Sequence, residues 1–419
     1  MTHPKMKYTY VGIDSHKDTH TAVFIDCFFE KLGELSFPNL PSEFGVFLAD
    51  AEKLKQDGTE LLFGLEDFSM YGRTLAVFFR DNNLQAKHVN ALLVARERKN
   101  RNVTEKTDSV DAECAARVLL SKFGEMPDAN PNDQYWILRS LVRRRDFIVK
   151  HNTALKNHLH NLLTQHYPNY SDWFPDIDTQ SSLAFFMRYP SPSTLEGITH
   201  EKLAAFLREA SDWRVGAGKP GTVKARAILD TVQDTTVPFQ ELRDDAVRSA
   251  IRQIEYNAAE IEQLESTMRE FLEQFQCTLT SMTGIDMVSA AQLLAGIGDV
   301  KRFPTPAKLA RYSGIAPVTY ASGKRDLQFA NHHGNRELNS VIYLLSVRLI
   351  TTVGPTGKML NPFFYEYYHR KLSEGKTKKQ ALKCVQRRLV NIIWTMLTNH
   401  EEYINPPMFE APNNGKDDT

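Results

Sequence analysis

Two apolar runs in the first 66 residues each stop on a carboxylate, and this pattern constrains the fold more than any other feature of the chain. Tyr8-Thr9-Tyr10-Val11-Gly12-Ile13 ends on Asp14, and Leu61-Leu62-Phe63-Gly64-Leu65 ends on Glu66. A buried strand that stops on an acid delivers that acid to the edge of a sheet, where water and ions reach it. A second pair, Asp108 and Asp111, is spaced i, i+3 in Lys106-Thr107-Asp108-Ser109-Val110-Asp111-Ala112, so the two share a helix face. Four clustered carboxylates repel one another unless cations sit between them, and oxygen ligands suit Mg²⁺ or Mn²⁺ rather than zinc. The combination points to a two-metal phosphodiester site. Taken singly, each acid also reads as a turn former, a helix cap or part of a solvated face.

The order of the elements favours the joint reading. Strand and acid, hairpin, strand and acid, then helix and acids is the way an RNase H-like sheet converges its carboxylates. Residues 7–125 read as α/β throughout. Tyr8–Ile13 and Thr21–Ile25 form a predicted hairpin around residues 15–19, and Glu60–Leu65 and Gln85–Val89 are further strands. Helices are predicted from Pro41 to about Gln56, over Thr74–Arg80 and over Asp108–Lys122. Between them, Arg96-Glu97-Arg98-Lys99-Asn100-Arg101 is basic. It reads either as a contact to a nucleic-acid backbone, through Arg98, Lys99 and Arg101, or as a solvated loop or helix end.

Two long helical patterns follow. The first, 133–165, carries Arg139, Arg143, Arg144, Arg145 and Lys150; of these, Arg143 and Arg144 are candidate nucleic-acid contacts. The second, 245–275, places Val247, Ile251, Ile254, Ala258, Ile261, Met268, Leu272 and Phe275 at alternating steps of four and three, with Glu265 breaking the register. Two such helices imply antiparallel pairing or dimerisation. Residues 166–240, rich in Trp and Pro, read as a small helical insert. From Ser281 the texture changes again. Thr283-Gly284-Ile285-Asp286-Met287-Val288 and Gly296-Ile297-Gly298 resemble a helix-hairpin-helix whose helix N-terminus can hold phosphate, although Val288 stands where that motif usually has a second glycine. The domain reading is therefore 7–125 α/β, 126–280 helical with the insert, 281–400 mainly helical, and a flexible acidic tail from 401 to 419. The fold class is α/β plus all-α, an RNase H/RuvC-like mixed sheet joined to long coiled-coil helices and a helical C-terminal domain.

At 419 residues the chain is long enough for two or three domains. No apolar stretch approaches the ~18 residues of a membrane span, and the first residues lack a signal-peptide pattern. Cys27, Cys114, Cys277 and Cys384 stand far apart, which argues for a reducing compartment and against structural zinc. The expected location is the cytoplasm, at the nucleoid when in use. Net charge is zero but segregated. Residues 281–400 hold 17 Lys and Arg against 6 acids, and residues 1–280 hold 33 against 40. The basic C-terminal segment is a candidate polyanion surface.

Ser322, followed by Gly323, Lys324 and Arg325, is the second candidate centre. A serine beside two cations is suited to attack a phosphodiester, while by residue type alone a Ser-Gly pair is more often an ordinary turn in a short loop. His332-His333 reads as a base or metal ligand, or more commonly as a loop pair binding phosphate or nothing. Tyr71 and Phe363-Phe364-Tyr365, with Tyr367 and Tyr368, stack on bases or pack a core.

Read together, these pieces resemble the DEDD-type insertion-sequence transposases, the family that also includes the Piv and MooV invertases. The resemblance rests on Val11–Lys17, Gly64-Leu65-Glu66, Lys106–Ala112, Thr283-Gly284-Ile285, Leu309-Ala310-Arg311-Tyr312-Ser313-Gly314-Ile315-Ala316-Pro317, Ser322-Gly323-Lys324 and Gly334-Asn335-Arg336. It spans roughly residues 7–400, with a longer middle region than in the shorter members. It implies a RuvC-like domain whose Asp14, Glu66, Asp108 and Asp111 hold Mg²⁺ or Mn²⁺. It implies a C-terminal domain in which Ser322 forms a covalent phosphoserine link to DNA. Lys324, Arg325 and Arg336 join the candidate nucleic-acid contacts. The implied partners are DNA at the element ends and target, a guide RNA encoded beside the gene, and further copies of the chain, a dimer that becomes a tetramer on DNA. With no His-Asp pair near Ser322, the most economical arrangement brings it to the metals, from the same chain or a neighbour. The alternatives are a metal-only RuvC-like nuclease specific for DNA structure, an invertase of a fixed DNA segment, and a non-catalytic nucleic-acid-binding protein, which the four intact acids oppose.

Overall fold

The computed structural model describes residues 3–66, 70–129, 133–211, 219–233, 235, 237–322, 325–329, 331, 334–354, 357 and 359–404. The chain divides into two compact units, Met1–Ile137 and Leu138–Thr419.

The first unit is built on five strands, β1 (Tyr8–Ser15), β2 (Thr19–Ile25), β3 (Lys31–Pro38), β4 (Glu60–Leu65) and β5 (Gln85–His88), in the order β3-β2-β1-β4-β5. β1, β2 and β3 are antiparallel neighbours, while β4 runs parallel to β1 and β5 parallel to β4. This is the mixed sheet of an RNase H-like fold. β3 escapes the sequence reading because Lys31-Leu32-Gly33-Glu34-Leu35-Ser36-Phe37 is a half-exposed edge strand with only Phe37 fully buried, so its apolar signal is weak.

Helices cover both faces. α1 (Pro41–Leu54) and α2 (Arg73–Asp81) pack on one face over Val11, Ile13, Phe24, Phe63 and Leu65. The opposite face is covered by α3 (Ala91–Asn100) and α4 (Asp108–Ser121), which pack over Tyr10, Val23 and Leu62. The alternation of a strand decides which residue goes where. Odd-numbered residues of β1 face α1 and α2, and even-numbered residues face α4.

The second unit takes in α5 (Asp133–His166) from Leu138 onward, and this helix pairs antiparallel with α10 (Gln240–Glu273). Arg145 meets Glu265 at 2.8 Å, Asn152 meets Asn257 at 3.5 Å, and Arg243 donates to Gln165 at 3.1 Å. Between them lie α6 (Tyr170–Trp173), α7 (Gln180–Arg188), α8 (His200–Ala210) and α9 (Lys219–Thr231), which share a core of Tyr167, Trp173, Phe185 and Phe186 with Val247, Ile251 and Ile254. The buried register of α10 slips at Asn257, which is enclosed where the heptad reading placed Ala258. Asn152 and Asn257 form a polar layer in the seam, and a straight helix drifts from a strict 3.5-residue repeat by about 20° per heptad, enough to exchange neighbours.

A second core joins the ends of the long helices to α11 (Met287–Ile297), α12 (Pro306–Tyr312), α13 (Arg336–Thr351), α14 (Pro362–Ser373) and α15 (Lys378–Asn399). A two-stranded ribbon, β6 (Val318–Ser322) and β7 (Arg325–Phe329), follows α12. Phe363 and Phe364 are buried in this core, with Tyr367 and Tyr368 packed against it, so these aromatics are packing residues. Asp286 caps α11, accepting from the Ser289 N–H at 2.8 Å, and it also pairs with Arg348 at 2.7 Å. That helix N-terminus already holds a carboxylate, so it does not offer the phosphate site expected from the Gly-flanked turn. Among the described residues no helix is long and apolar enough to cross a membrane.

A candidate metal centre and the family of the chain

Asp14, at an even position near the end of β1, faces α4 together with Tyr10 and Gly12. Glu66 follows β4 and is drawn to the same edge by its N–H, which donates to the Ile13 carbonyl at 3.2 Å. Asp108 is the first residue of α4, whose N-cap Thr107 accepts from the Val110 N–H at 3.2 Å, and Asp111 lies one turn along. Gly12 is the reason the helix comes so close. A Cβ there would fall 2.0 Å from the Ala112 carbonyl oxygen and 2.2 Å from the Ala116 nitrogen, both backbone atoms. On β4, a Cβ at Gly64 would meet side-chain atoms, Val89 at 2.9 Å and Leu119 at 3.1 Å. Gly12 lets backbone approach backbone, Gly64 leaves room for the Val89 and Leu119 side chains, and the acids of strand and helix then share one rim.

The electrostatics record that crowding. Burial pushes Asp14 up to about 6, with His16 opposing the shift and Asp108 and Asp111 adding to it. Glu66 rises to about 7, first by burial and then by the charges of Asp14 and Asp111, against the pull of Lys106 and Arg98. One carboxylate oxygen of Glu66 is enclosed without a hydrogen-bond partner. A buried acceptor left in that state costs free energy unless something satisfies it. The donor set is carboxylate oxygen at the end of two strands and the start of a helix, and a hard divalent cation fits it.

Two neighbours join the acids: His16, which the sequence reads only as part of a turn, and Arg98, which it reads as a candidate nucleic-acid contact. His16 stands between Asp14 and Asp108, with Nδ1 3.7 Å from the first and Nε2 3.6 Å from the second. The signal for it was the strand period: two residues beyond Asp14, it returns to the same face. Arg98 is paired with Asp111. The basic segment 96–101 is the end of α3 running past the acids, and Arg98 serves this site rather than standing free.

The other expected residues are dispersed. Arg101 is paired with Glu113 at 2.9 Å, and Lys99 is exposed on α3. Arg143 lies 3.4 Å from Glu337 and Arg144 3.7 Å from Glu260, all on the second unit's surface or half-exposed. Ser322, expected in a short loop, is the last residue of β6, and Arg325 is the first of β7. The side chains of Ser322 and Arg325, and Lys324, His332 and His333 entirely, lie outside the described residues. Tyr71 is exposed.

Beside this ribbon the second unit carries a groove of about 1720 Å³, lined by Ser313–Pro317, Phe329, the start of α13 and one side of α15. Arg336, Lys376, Lys379, Lys383, Arg387 and Arg388 line it, with Glu374 as the acid among its residues. Burial and the neighbouring Lys379 lower the Lys383 ammonium below the ordinary lysine value. Arg387 keeps one guanidinium nitrogen enclosed without a hydrogen-bond partner.

Comparison with known proteins agrees with this layout. A DEDD-type IS110 transposase model matches residues 11–168, and a model described as "Transposase IS116/IS110/IS902 family" matches residues 277–362. The chain is 26% identical to the "Insertion element IS110 uncharacterized 43.6 kDa protein" of Streptomyces coelicolor, over 94% of this chain and 95% of the relative. It is 24% identical to the "Insertion element IS116 uncharacterized 44.8 kDa protein" of Streptomyces clavuligerus, over 95% and 96%. The similarity extends to the "Pilin gene-inverting protein" of Moraxella bovis, 22% identical over 95% of this chain and 98% of that protein. The chain belongs to the IS116/IS110/IS902 family of transposases, enzymes of DNA recombination.

Proposed function

We propose that this transposase moves an insertion element by cutting and rejoining DNA through a covalent phosphoserine link, using a divalent cation held by Asp14, Glu66, Asp108 and Asp111. The observation that carries the reading is the convergence of those four carboxylates on one rim, with the partnerless oxygen of Glu66 among them. Mg²⁺ or Mn²⁺ bound there supplies charge neutralisation and Lewis acidity to a phosphodiester. The chain's own residues do the rest. Arg98 holds Asp111 in place, and Gly12 fixes the spacing of helix and strand. Ser322, at the tip of the ribbon, is the nucleophile. Its oxygen bonds to phosphorus as the P–O bond to the DNA breaks, and its proton passes by way of water to the released DNA oxygen, which departs as a hydroxyl; the strand stays attached to protein until the hydroxyl of a second DNA end displaces the serine and returns its proton.

The basic groove beside the ribbon supports nucleic acid as the ligand of the second unit. Clustered cations with an enclosed, unsatisfied guanidinium nitrogen suit a phosphate backbone. We assign this groove to DNA or to an element-encoded guide RNA, and the assembly to a dimer that becomes a tetramer on DNA.

The deciding experiment traps the reaction on element-end DNA and looks for protein covalently attached to it. An adduct mapped by mass spectrometry to Ser322, absent from Ser322→Ala and from Asp14→Ala, is the expected result. Water-cleaved ends without adduct would instead make this a metal-only nuclease, and linkage to another residue would remove Ser322.

A further inference from the structure

His16 belongs to no part of the scheme above, yet its backbone is held firmly. Its N–H donates to the Thr19 carbonyl at 3.1 Å, closing the turn between β1 and β2, and its own carbonyl accepts from the Asn39 side chain at 3.2 Å. From that anchored position the ring reaches between two acids, 3.7 Å from Asp14 and 3.6 Å from Asp108. Both gaps are longer than a hydrogen bond, so neither acid holds the ring. One donor atom from each of Asp14, His16 and Asp108 nevertheless lies within 4.8 Å of the other two. Atoms bound to one octahedral cation at about 2.1 Å stand roughly 3 to 4 Å apart. The three residues therefore have nearly the dimensions of one face of a coordination shell, and one of the three donors is nitrogen.

That nitrogen carries a chemical consequence. Mg²⁺ prefers an all-oxygen shell and gives up water reluctantly, whereas imidazole suits the first-row transition ions, Mn²⁺ included. We propose that His16 is a nitrogen ligand of the cation held by Asp14 and Asp108, and that it tilts this centre towards Mn²⁺ over Mg²⁺. The inference rests on the metal reading above. It is a statement about which ion this chain takes up when both are present.

The test uses the full chain and the two metals alone. Calorimetric titration gives the Mn²⁺ and Mg²⁺ affinities of wild type, His16→Ala, His16→Asn and Asp14→Asn, and pulsed electron paramagnetic resonance on bound Mn²⁺ reads directly coordinated nitrogen. Circular dichroism checks that each variant is folded; the His16 ring is half-exposed, so its loss leaves the core untouched. The expected result is nitrogen coupling in wild type that disappears in His16→Ala. Mn²⁺ affinity should fall about tenfold in both His16 variants while Mg²⁺ affinity changes less than about twofold. A wild-type chain that binds both ions without nitrogen coupling overturns this inference alone. So does a His16→Ala chain that binds both ions equally more tightly, since the ring is then a counter-cation that the metal displaces. A wild-type chain that takes up neither ion overturns the metal reading and this inference with it.

Discussion

The enclosed carboxylates are costly to the metal-free protein. Asp14 and Glu66 have folded-state values of about 6 and about 7 against ordinary values of 3.8 and 4.5. Groups raised in this way bind more protons folded than unfolded, so their contribution is fully present at acid pH and is lost as pH rises through about 6 and 7. His20 runs in the opposite direction. Buried beside Phe37 and Phe44, it is lowered to about 4, so its contribution is present above its ordinary 6.5 and lost as pH falls towards 4. A whole-protein pH profile mixes the two, and a variant isolates them. Glu66→Gln should stabilise the metal-free protein at pH 8 by about 1 to 2 kcal/mol, with little effect at pH 4. In wild type, added Mn²⁺ should raise the melting temperature more at pH 8 than at pH 5, and this gain should vanish in Asp14→Asn. Thermal unfolding in chelator and in Mn²⁺ checks both. A Glu66→Gln chain less stable than wild type in chelator at pH 8 would make Glu66 an ordinary structural acid.

Among elements, the contact of α4 with β1 decides whether a site exists. Gly12→Ala places a methyl group 2.0 Å from a backbone oxygen, so helix and strand must separate. The expected cost is about 3 kcal/mol or more, with loss of metal uptake even where the fold survives. Gly45, inside α1 with nothing within 4 Å of an added Cβ, is the matched control. Gly45→Ala should stabilise by about 0.5 to 1 kcal/mol and leave metal binding alone. Denaturant unfolding of the two variants separates steric conflict from glycine's entropy. In the second unit, Ile254 is enclosed in the core shared by α10 and the insert. A charge there acts on the fold of one chain. Ile254→Asp should lower stability by about 3 kcal/mol or more independently of protein concentration. A loss that depends on concentration would instead place Ile254 between chains.

Within the first unit four acids meet at the rim of the sheet, and within the second six cations line one groove. Affinity for nucleic acid should therefore weaken steeply with salt. Removing Lys379, Lys383 and Arg387 together should reduce the slope of log affinity against log salt by about 2 to 3 for duplex DNA, while metal uptake stays at the wild-type level. Fluorescence anisotropy across a salt series measures it. A slope unchanged in the triple variant would move the phosphate contacts elsewhere.

Much of this was legible in the chain itself. An apolar run ending on an acid is a local pattern, and alternation alone sends Asp14 and Glu66 to the face that holds Gly12 and Gly64. The i, i+3 spacing of Asp108 and Asp111 places both on one side of their helix by local geometry. Local pattern also announces the two long helices, each running 34 residues, although α10 begins at Gln240 rather than at 245. Tertiary structure decided the rest, for identifiable reasons. Arg98 reads as a free cation until α3 packs against α4 and pairs it with Asp111. His16 reads as a turn residue until β1 and α4 bring two acids to either side of its ring. β3 has too little apolar surface to announce itself and exists because β2 offers it an open edge. Asn257 displaces Ala258 from the seam because the partner helix presents Asn152 at that level. In each case the deciding energy is a pairing between residues distant in sequence, and no periodicity along one segment contains it.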